Sequence, residues 1–217
     1  MRFILEQVRT GGDRNFGYLL GDREAGEGLL IDPSFDPELL VARARAQGLR
    51  ITAILNTHGH ADHSNGNAQA RTLTGAPVLG GPGHPEPLDR VLEDGERLPF
   101  GAFHLGVWRV PGHCPDHLAF LVEEWAAGIT GDLLFVGKVG GTTSSADART
   151  EWVSLRRLLR DWPGHTTLWP GHDYGARPSS TLAWERATNP FLLCADVEAF
   201  VQLKADWPEF KVRHGLR

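Results

Sequence analysis

The chain has 217 residues with 41% apolar content and a formal charge of −5, so it is long and apolar enough to bury a full core. The acidic balance offers no basic surface for a phosphate backbone, and we expect no nucleic-acid partner. No segment approaches the ~18 apolar residues of a membrane span, and the first nine residues are too charged for a signal sequence. We therefore expect a cytoplasmic protein with no membrane partner, made of one domain over residues 1–217.

The first half of the chain alternates short apolar runs with turn signals. The predicted strands cover residues 16–20, 28–31 and 51–55. Asp36 followed by Pro37 predicts the start of a helix that ends at Gly48. Residues 64–67 carry the signal of a turn and a second helix start, so this half favours an α/β protein.

The second half continues the same alternation. Strands are predicted at residues 107–110 and 166–169, with a hairpin between residues 118 and 136. A helix is predicted to begin at Thr150, because apolar residues recur at helical spacing from Trp152 onwards. A last amphipathic helix is predicted from Ala195 to about Ala205.

Residues 57–63 carry the most informative motif. They include His58, His60, Asp62 and His63, four metal-capable side chains within six positions of a strand-to-helix loop. Loops at such places often carry function, and no packing role explains the crowding. This spacing predicts a metal site.

Three further fragments place a similar side chain just beyond a predicted strand. These are His113, Asp132 and His172. Imidazole and carboxylate together suit zinc, iron or manganese, and the absence of a thiolate from the motif argues against a structural zinc site. The two cysteines lie far apart and predict no disulfide, and Cys114 is expected to be a small buried residue.

The ordered set of ligands resembles the metallo-β-lactamase fold superfamily, over roughly residues 15–195. The resemblance implies an α/β fold, a four-layer αββα sandwich with the metal site at one edge of the two sheets. It implies two divalent metal ions, zinc first and iron or manganese as alternatives. By resemblance, His58, His60 and His113 hold the first metal, Asp62, His63 and His172 hold the second, and Asp132 bridges both.

Residues 16–22, 131–136 and 185–190 resemble the glyoxalase II-like branch, which comprises hydroxyacylglutathione hydrolases and persulfide dioxygenases. The hydrolase interpretation predicts a metallo-hydrolase in which a metal-bridging hydroxide attacks a thioester carbonyl. Asp62 and Asp132 would belong to its catalytic set, and Tyr174 would steady the intermediate, bind substrate or simply pack. The partner would be a small-molecule thioester or related acyl substrate, such as a glutathione conjugate.

The alternative is a mononuclear iron persulfide dioxygenase, with a single Fe(II) held by His58, His113 and Asp132. The segments 172–175 and 179–186 favour it, whereas His117 favours the hydrolase. A lactonase and a non-catalytic metal-binding protein are further alternatives.

Residues 138–143 depart from the pattern of the glutathione-using families, because the basic residue that those families carry here is missing from its usual place. Lys138 is expected to be a solvated loop lysine, with an anion contact as the other interpretation. Glutathione itself is therefore in doubt as the substrate.

Overall fold

Two mixed β-sheets form the centre of the protein in the computed structural model, which describes residues 2–215. The first sheet has the order β1 (Phe3–Gly11), β2 (Asn15–Asp22), β3 (Glu27–Ile31), β4 (Arg50–Leu55), β5 (Val78–Gly80) and β6 (Arg90–Val91). The second runs from β7 (Arg97–Phe100) through β8 (Phe103–Arg109), β9 (Leu118–Val122), β10 (Ala127–Gly131) and β11 (Thr167–Pro170) to β12 (Ser180–Thr181). Sequence neighbours therefore pair in space throughout.

Helices cover the outer face of each sheet. They are α1 (Pro37–Ala46), α2 (Ala61–Ser64), α3 (Asn67–Thr74), α4 (Ser145–Asp161), α5 (Leu182–Thr188) and α6 (Val197–His214). Apolar residues of α1 and α3 share a buried cluster with the first sheet, and those of α4, α5 and α6 share one with the second. This is the four-layer αββα arrangement that the sequence predicts.

Strand alternation explains why each sheet can be covered on both faces. Tyr18 and Leu20 of β2 belong to the cluster between the sheets, whereas Leu19 belongs to the cluster beneath α1. Phe120 and Leu121 of β9 divide between the inner and outer clusters in the same way. Because successive side chains point to opposite faces, a doubly covered strand must be apolar throughout, as β2 and β9 largely are.

The strand directions bring the predicted site loops to one edge. β3, β4 and β5 are parallel, and β10 is parallel to β11. β8 and β10 are each antiparallel to β9, so β8, β10 and β11 all run the same way. The carboxyl ends of these three strands therefore lie on one side of the second sheet.

The structure corrects two helix boundaries. α4 begins at Ser145 and not at Thr150, because Ser144 caps it by accepting a hydrogen bond from the Asp147 backbone N–H at 3.1 Å. α6 runs to His214, nine residues beyond the predicted end at Ala205. The strand β1 was not predicted at all, because its charged and polar residues interrupt the apolar pattern.

Within residues 2–215, no helix is long and apolar enough to cross a membrane. That all residues 1–217 form one domain stays a prediction.

Gly66 fixes how α3 approaches the loop that follows β3. A Cβ at this position would lie 1.8 Å from the Pro33 carbonyl oxygen, so Gly66→Ala forces the backbone apart. We expect it to lower the free energy of unfolding of the metal-free protein by about 1–3 kcal/mol, measured by urea denaturation. Gly164→Ala is the control, because its Cβ would make an ordinary 3.5 Å contact with Ala183. Equal stability of the two variants would contradict this packing.

Candidate metal centre

The seven predicted ligands come together at the shared edge of the two sheets. His58 and His60 lie in the loop between β4 and the short helix α2, with His60 as the N-cap residue of that helix, and Asp62 and His63 lie in α2 itself. His113, Asp132 and His172 follow β8, β10 and β11, respectively. Each sheet therefore contributes to the cluster, and the loops do so because their strands end at the same edge.

One group of imidazoles converges through three ring nitrogens. His58 Nε2 lies 2.9 Å from His60 Nδ1, and His113 Nε2 lies 3.0 Å from the same Nδ1 atom. These are the three histidines that were predicted to hold the first metal.

A second group converges beside the first. His63 Nε2 lies 3.2 Å from His172 Nε2, which is 3.4 Å from Asp62 Oδ2. Asp132 lies between the groups, with Oδ1 3.4 Å from His63 Nε2 and Oδ2 3.7 Å from His113 Nε2. Its placement is the one expected of a shared ligand.

The outward-facing Nδ1 atoms of three of these histidines form hydrogen bonds with protein oxygens. His63 Nδ1 faces Asp32 Oδ2 at 3.0 Å, His113 Nδ1 faces the Gly141 carbonyl at 2.7 Å, and His172 Nδ1 faces the Asp13 carbonyl at 2.9 Å. Because these oxygens accept hydrogen bonds, they place a proton on Nδ1, so that each ring in its neutral form carries its lone pair on Nε2. The lone pairs are directed into the cluster, which is how metal-ligating histidines are oriented.

The fit to a cation can be judged from the buried polar atoms. Asp132 is buried, and its Oδ1 accepts no hydrogen bond from the part of the chain that the structure describes. Imidazole lone pairs facing one another at about 3 Å are mutually repulsive unless a proton or a metal lies between them. The donor set therefore fits divalent metal ions, and these residues form a candidate metal-binding site.

The charges of the cluster are strongly coupled. Burial favours the neutral acid of Asp132, but the surrounding histidines, His63 first, hold its pKa well below the usual range. Burial likewise lowers the pKa of His63, yet the carboxylates of Asp132, Asp32 and Asp62 together raise it to about 9. Burial, together with the neighbouring imidazoles, lowers the pKa of His58 well below its usual value. The surrounding histidines thus favour the ionised form of Asp132.

Asp32 is a site residue that the sequence interpretation missed. It is fully buried at the end of β3 and accepts hydrogen bonds from the Thr57 backbone N–H at 2.8 Å and from the Thr57 hydroxyl at 2.6 Å. Its φ of +49° is uncommon outside glycine, and such strain is often found at functional sites. An acidic residue directly after an apolar strand was the available signal, the same one that identified Asp132.

Gly59 separates the first two histidines for a steric reason. A Cβ there would lie 2.1 Å from the Pro85 ring, and its N–H donates to Asp116 Oδ2 at 2.7 Å. The Pro/Gly-rich segment 81–87 therefore packs directly against the motif.

Two residues beside the ligands are buried as well. The His117 ring stacks on that of His58, with centroids 4.9 Å apart, and its Nε2 accepts a hydrogen bond from the Asp132 backbone N–H at 3.1 Å. Cys114 is buried, as expected, and its Sγ lies within 4.8 Å of ring nitrogens of His58 and His60. Burial and the neighbouring Asp116 raise the pKa of the Cys114 thiol well above its usual range, so the thiol is protonated.

Tyr174 lies next to the cluster but its hydroxyl is committed elsewhere. Its ring stacks on His172, with centroids 4.6 Å apart and planes 5° apart, and its hydroxyl donates to Asp13 Oδ2 at 2.7 Å. Burial and Asp13 raise the pKa of Tyr174 well above its usual value. The phenol is thus protonated near neutral pH, and its part in catalysis or substrate binding stays a prediction.

A pocket of about 370 Å³ opens onto the ligands His113 and Asp132. Tyr174, Phe135 and Lys138 line it as well. Lys138, which we expected to be solvated, is half-buried with its ammonium 3.8 Å from the centre of the Tyr174 ring. The pocket gives a small molecule access to the cluster.

Comparison with known proteins agrees with this geometry. A sequence profile of the metallo-beta-lactamase superfamily matches residues 10–88. The human mitochondrial persulfide dioxygenase ETHE1 is 34% identical over 210 residues, which cover 92% of this chain and 80% of the relative. The hydroxyacylglutathione hydrolase of Rhodospirillum rubrum is 37% identical over 182 residues, covering 82% of this chain and 69% of the relative.

A solved structure gives the same result at the level of the fold. The crystal structure of ETHE1 from Myxococcus xanthus superposes with a TM-score of 0.87 at 28% identity, covering 94% of this chain and 91% of that one. The chain therefore belongs to the metallo-beta-lactamase superfamily, as its ligand order predicts. Within the superfamily, hydrolase and dioxygenase relatives are similar to it to nearly the same degree.

Asp32→Asn tests the supporting carboxylate. An amide keeps the size of the side chain but removes the charge opposite His63, so we expect affinity for zinc to fall about 10-fold to 100-fold. Competition with a chromophoric chelator measures that affinity. Asp94→Asn is the control, since Asp94 pairs with Arg157 away from the cluster and should leave affinity unchanged. Unchanged affinity in Asp32→Asn would remove Asp32 from the site.

Proposed function

We propose that this protein is a metal-dependent hydrolase of a small-molecule thioester, similar to the hydroxyacylglutathione hydrolases. The observation that carries the proposal is the second ligand group, in which Asp62, His63 and His172 converge beside Asp132. A mononuclear enzyme needs only one such group, whereas this chain builds both.

In this proposal His58, His60 and His113 would hold one metal ion, Asp62, His63 and His172 would hold the other, and Asp132 would be shared by both. Zinc is the first expectation, with iron or manganese as alternatives. When bound, such a metal pair activates water near neutral pH and polarises the carbonyl that is attacked.

The remaining residues orient this set. The Asn15 amide donates to Asp62 Oδ2 at 3.0 Å and to the Asp62 carbonyl at 2.9 Å, which holds the carboxylate towards the cluster. His117 accepts the backbone N–H of Asp132 and so fixes the turn after β10. A thiolate leaving group needs little protonation, which is consistent with a pocket whose one phenol, Tyr174, is bound to Asp13.

The second candidate function is persulfide dioxygenation with a single Fe(II). It is favoured by the superposition on ETHE1 from Myxococcus xanthus, which covers nearly the whole of both chains. His58, His113 and Asp132 would then be the iron ligands.

Parallel assays of iron-loaded and zinc-loaded protein separate the two functions. We expect hydrolysis of S-lactoylglutathione or of a simpler thioester, measured as release of the free thiol. With glutathione persulfide we expect no oxygen uptake. Rapid oxygen uptake confined to the iron form, without thioester hydrolysis, would replace the hydrolase by the dioxygenase.

Two variants test how many metals the reaction uses. Asp132→Ala removes the shared anion, and we expect activity to fall more than about 100-fold under either function. His63→Ala should reduce bound metal from two ions to one per chain and disable only a two-metal enzyme. Elemental analysis and turnover are measured on the same samples. Near-normal turnover of Asp132→Ala with full metal content would overturn the site assignment.

A further inference from the structure

A buried ion pair joins helices α4 and α6 close to the metal centre. The carboxylate of Glu151 on α4 is fully buried, and the side chain of Lys204 on α6, which pairs with it, is only 8% exposed. The second carboxylate oxygen, Oε1 of Glu151, accepts no hydrogen bond from residues 2–215. Neither residue belongs to the ligand set, so the pair requires an explanation of its own.

Packing alone does not explain why charged groups fill this space between the helices. Burial raises the pKa of Glu151 to about 8, although Lys204 opposes the shift, and burial lowers the pKa of Lys204. Replacing a buried ion pair by apolar side chains of similar volume is often neutral or stabilising. The distinguishing feature of the pair is therefore the set of hydrogen bonds that it forms, rather than the volume that it fills.

The ammonium of Lys204 forms a second contact, with the loop between β10 and α4. It donates a hydrogen bond to the Gly140 carbonyl oxygen at 2.7 Å. The next carbonyl along the chain, that of Gly141, faces His113 Nδ1 at 2.7 Å. Lys204 thus holds one peptide group of the loop, while the adjacent peptide group orients a candidate metal ligand.

The two glycines of this loop leave its backbone free to move in one direction only. A Cβ at Gly140 would lie 2.0 Å from the Asp132 carbonyl oxygen and 3.0 Å from His113 Nδ1, so the loop already packs against both candidate ligands. A Cβ at Gly141 would meet nothing within 4 Å, so the loop can move away from them. Because adjacent glycines are conformationally permissive, a contact from outside the loop is needed to fix the Gly141 carbonyl.

Helix α4 supports the backbone on the other side of the same ligand. A Cβ at Gly112, the residue before His113, would lie 2.4 Å from the Cα atom of Glu151. Ser154, one turn further along α4, donates a hydrogen bond to the Pro111 carbonyl at 2.7 Å. The ion pair therefore connects the helix that supports the backbone before His113 with the helix that holds the loop facing its ring.

We propose that Glu151 and Lys204 are positioning residues for His113 and act through the loop at Gly140 and Gly141. Glu151 fixes the ammonium of Lys204, the ammonium fixes the Gly140 carbonyl, and the loop then presents the Gly141 carbonyl to the imidazole. The pair thereby couples the docking of α6 to the metal affinity of the group that includes His113. The inference rests on the ligand role of His113 in the proposed function, and it holds for the hydrolase and the dioxygenase alike.

An apolar replacement of the pair separates positioning from packing. Glu151→Leu together with Lys204→Met fills the same space, so we expect stability to urea close to that of the wild type. The Gly140 carbonyl still lacks its donor, and zinc affinity at one of the two metal positions should fall about tenfold, measured by competition with a chromophoric chelator. Lys204→Met alone should lower both stability and affinity, because it leaves Glu151 buried and unpaired.

Glu198→Gln is the matched control. It breaks the ion pair between Arg149 and Glu198, which joins the same two helices on the exposed surface and does not contact the loop. Exposed pairs contribute little to stability, so this variant should keep both the stability and the zinc affinity of the wild type. Wild-type affinity in the double variant, or an equal loss in Glu198→Gln, would overturn the positioning role.

The imidazole of His113 supplies a readout that a change of packing elsewhere would not alter. In nitrogen-15 NMR of the zinc-loaded protein, we expect a protected Nδ1–H signal of His113 in the wild type and in Glu198→Gln, and rapid exchange of this proton with water in the double variant. Persistence of the protected signal in the double variant contradicts the inference.

His113→Ala distinguishes failure of the inference from failure of the site. If His113→Ala loses zinc affinity while the double variant keeps it, only the positioning role is wrong. If His113→Ala binds zinc as the wild type does, His113 is no ligand, and the site assignment of the proposed function fails together with this inference.

Discussion

The arrangement of this protein depends on one electrostatic constraint, the convergence of five imidazoles and two carboxylates, most of them buried, at one edge of the two sheets. Such a cluster is unfavourable by itself, because lone pairs and negative charges that face one another lose their hydration on burial. It persists because rigid strands end at this edge and because outer hydrogen bonds orient the rings of His63, His113 and His172. The extended sheets and the buried core therefore serve to hold side chains in positions that they would not otherwise adopt.

The residues behind the ligands divide this work between them. Asp32 connects the loop after β3 to Thr57 and His63, while carbonyl groups of Asp13 and Gly141 orient His172 and His113. Backbone carbonyls cannot be changed by substitution of their own side chains, whereas Asp32 can. A single substitution can thus remove the Asp32 acceptor but not the two carbonyl acceptors. The strained backbone of Asp32 indicates that its contacts hold the residue in place.

Much of the fold could be predicted because local signals and tertiary structure agree. The apolar strands β2, β3 and β4 and the capped helix α1 were predicted close to their observed bounds. The seven candidate ligands, which the structure brings together, were identified from spacing and resemblance. The early start of α4 was not predicted, because Ser144 begins this helix by capping it and adds nothing to the apolar periodicity. The role of Asp32 and the proximity of Lys138 to Tyr174 depend on contacts between residues distant in sequence, which a pattern along the chain does not contain.

Each group of candidate ligands draws on both sheets. His58 and His60 follow the first sheet whereas His113 follows the second, and the same division separates His63 from His172. A ligand bound to either group would join the two halves of the sandwich across their seam. Since anything that binds only the folded state stabilises it, a ligand bound at this edge would stabilise the whole fold and raise its resistance to heat and to proteolysis.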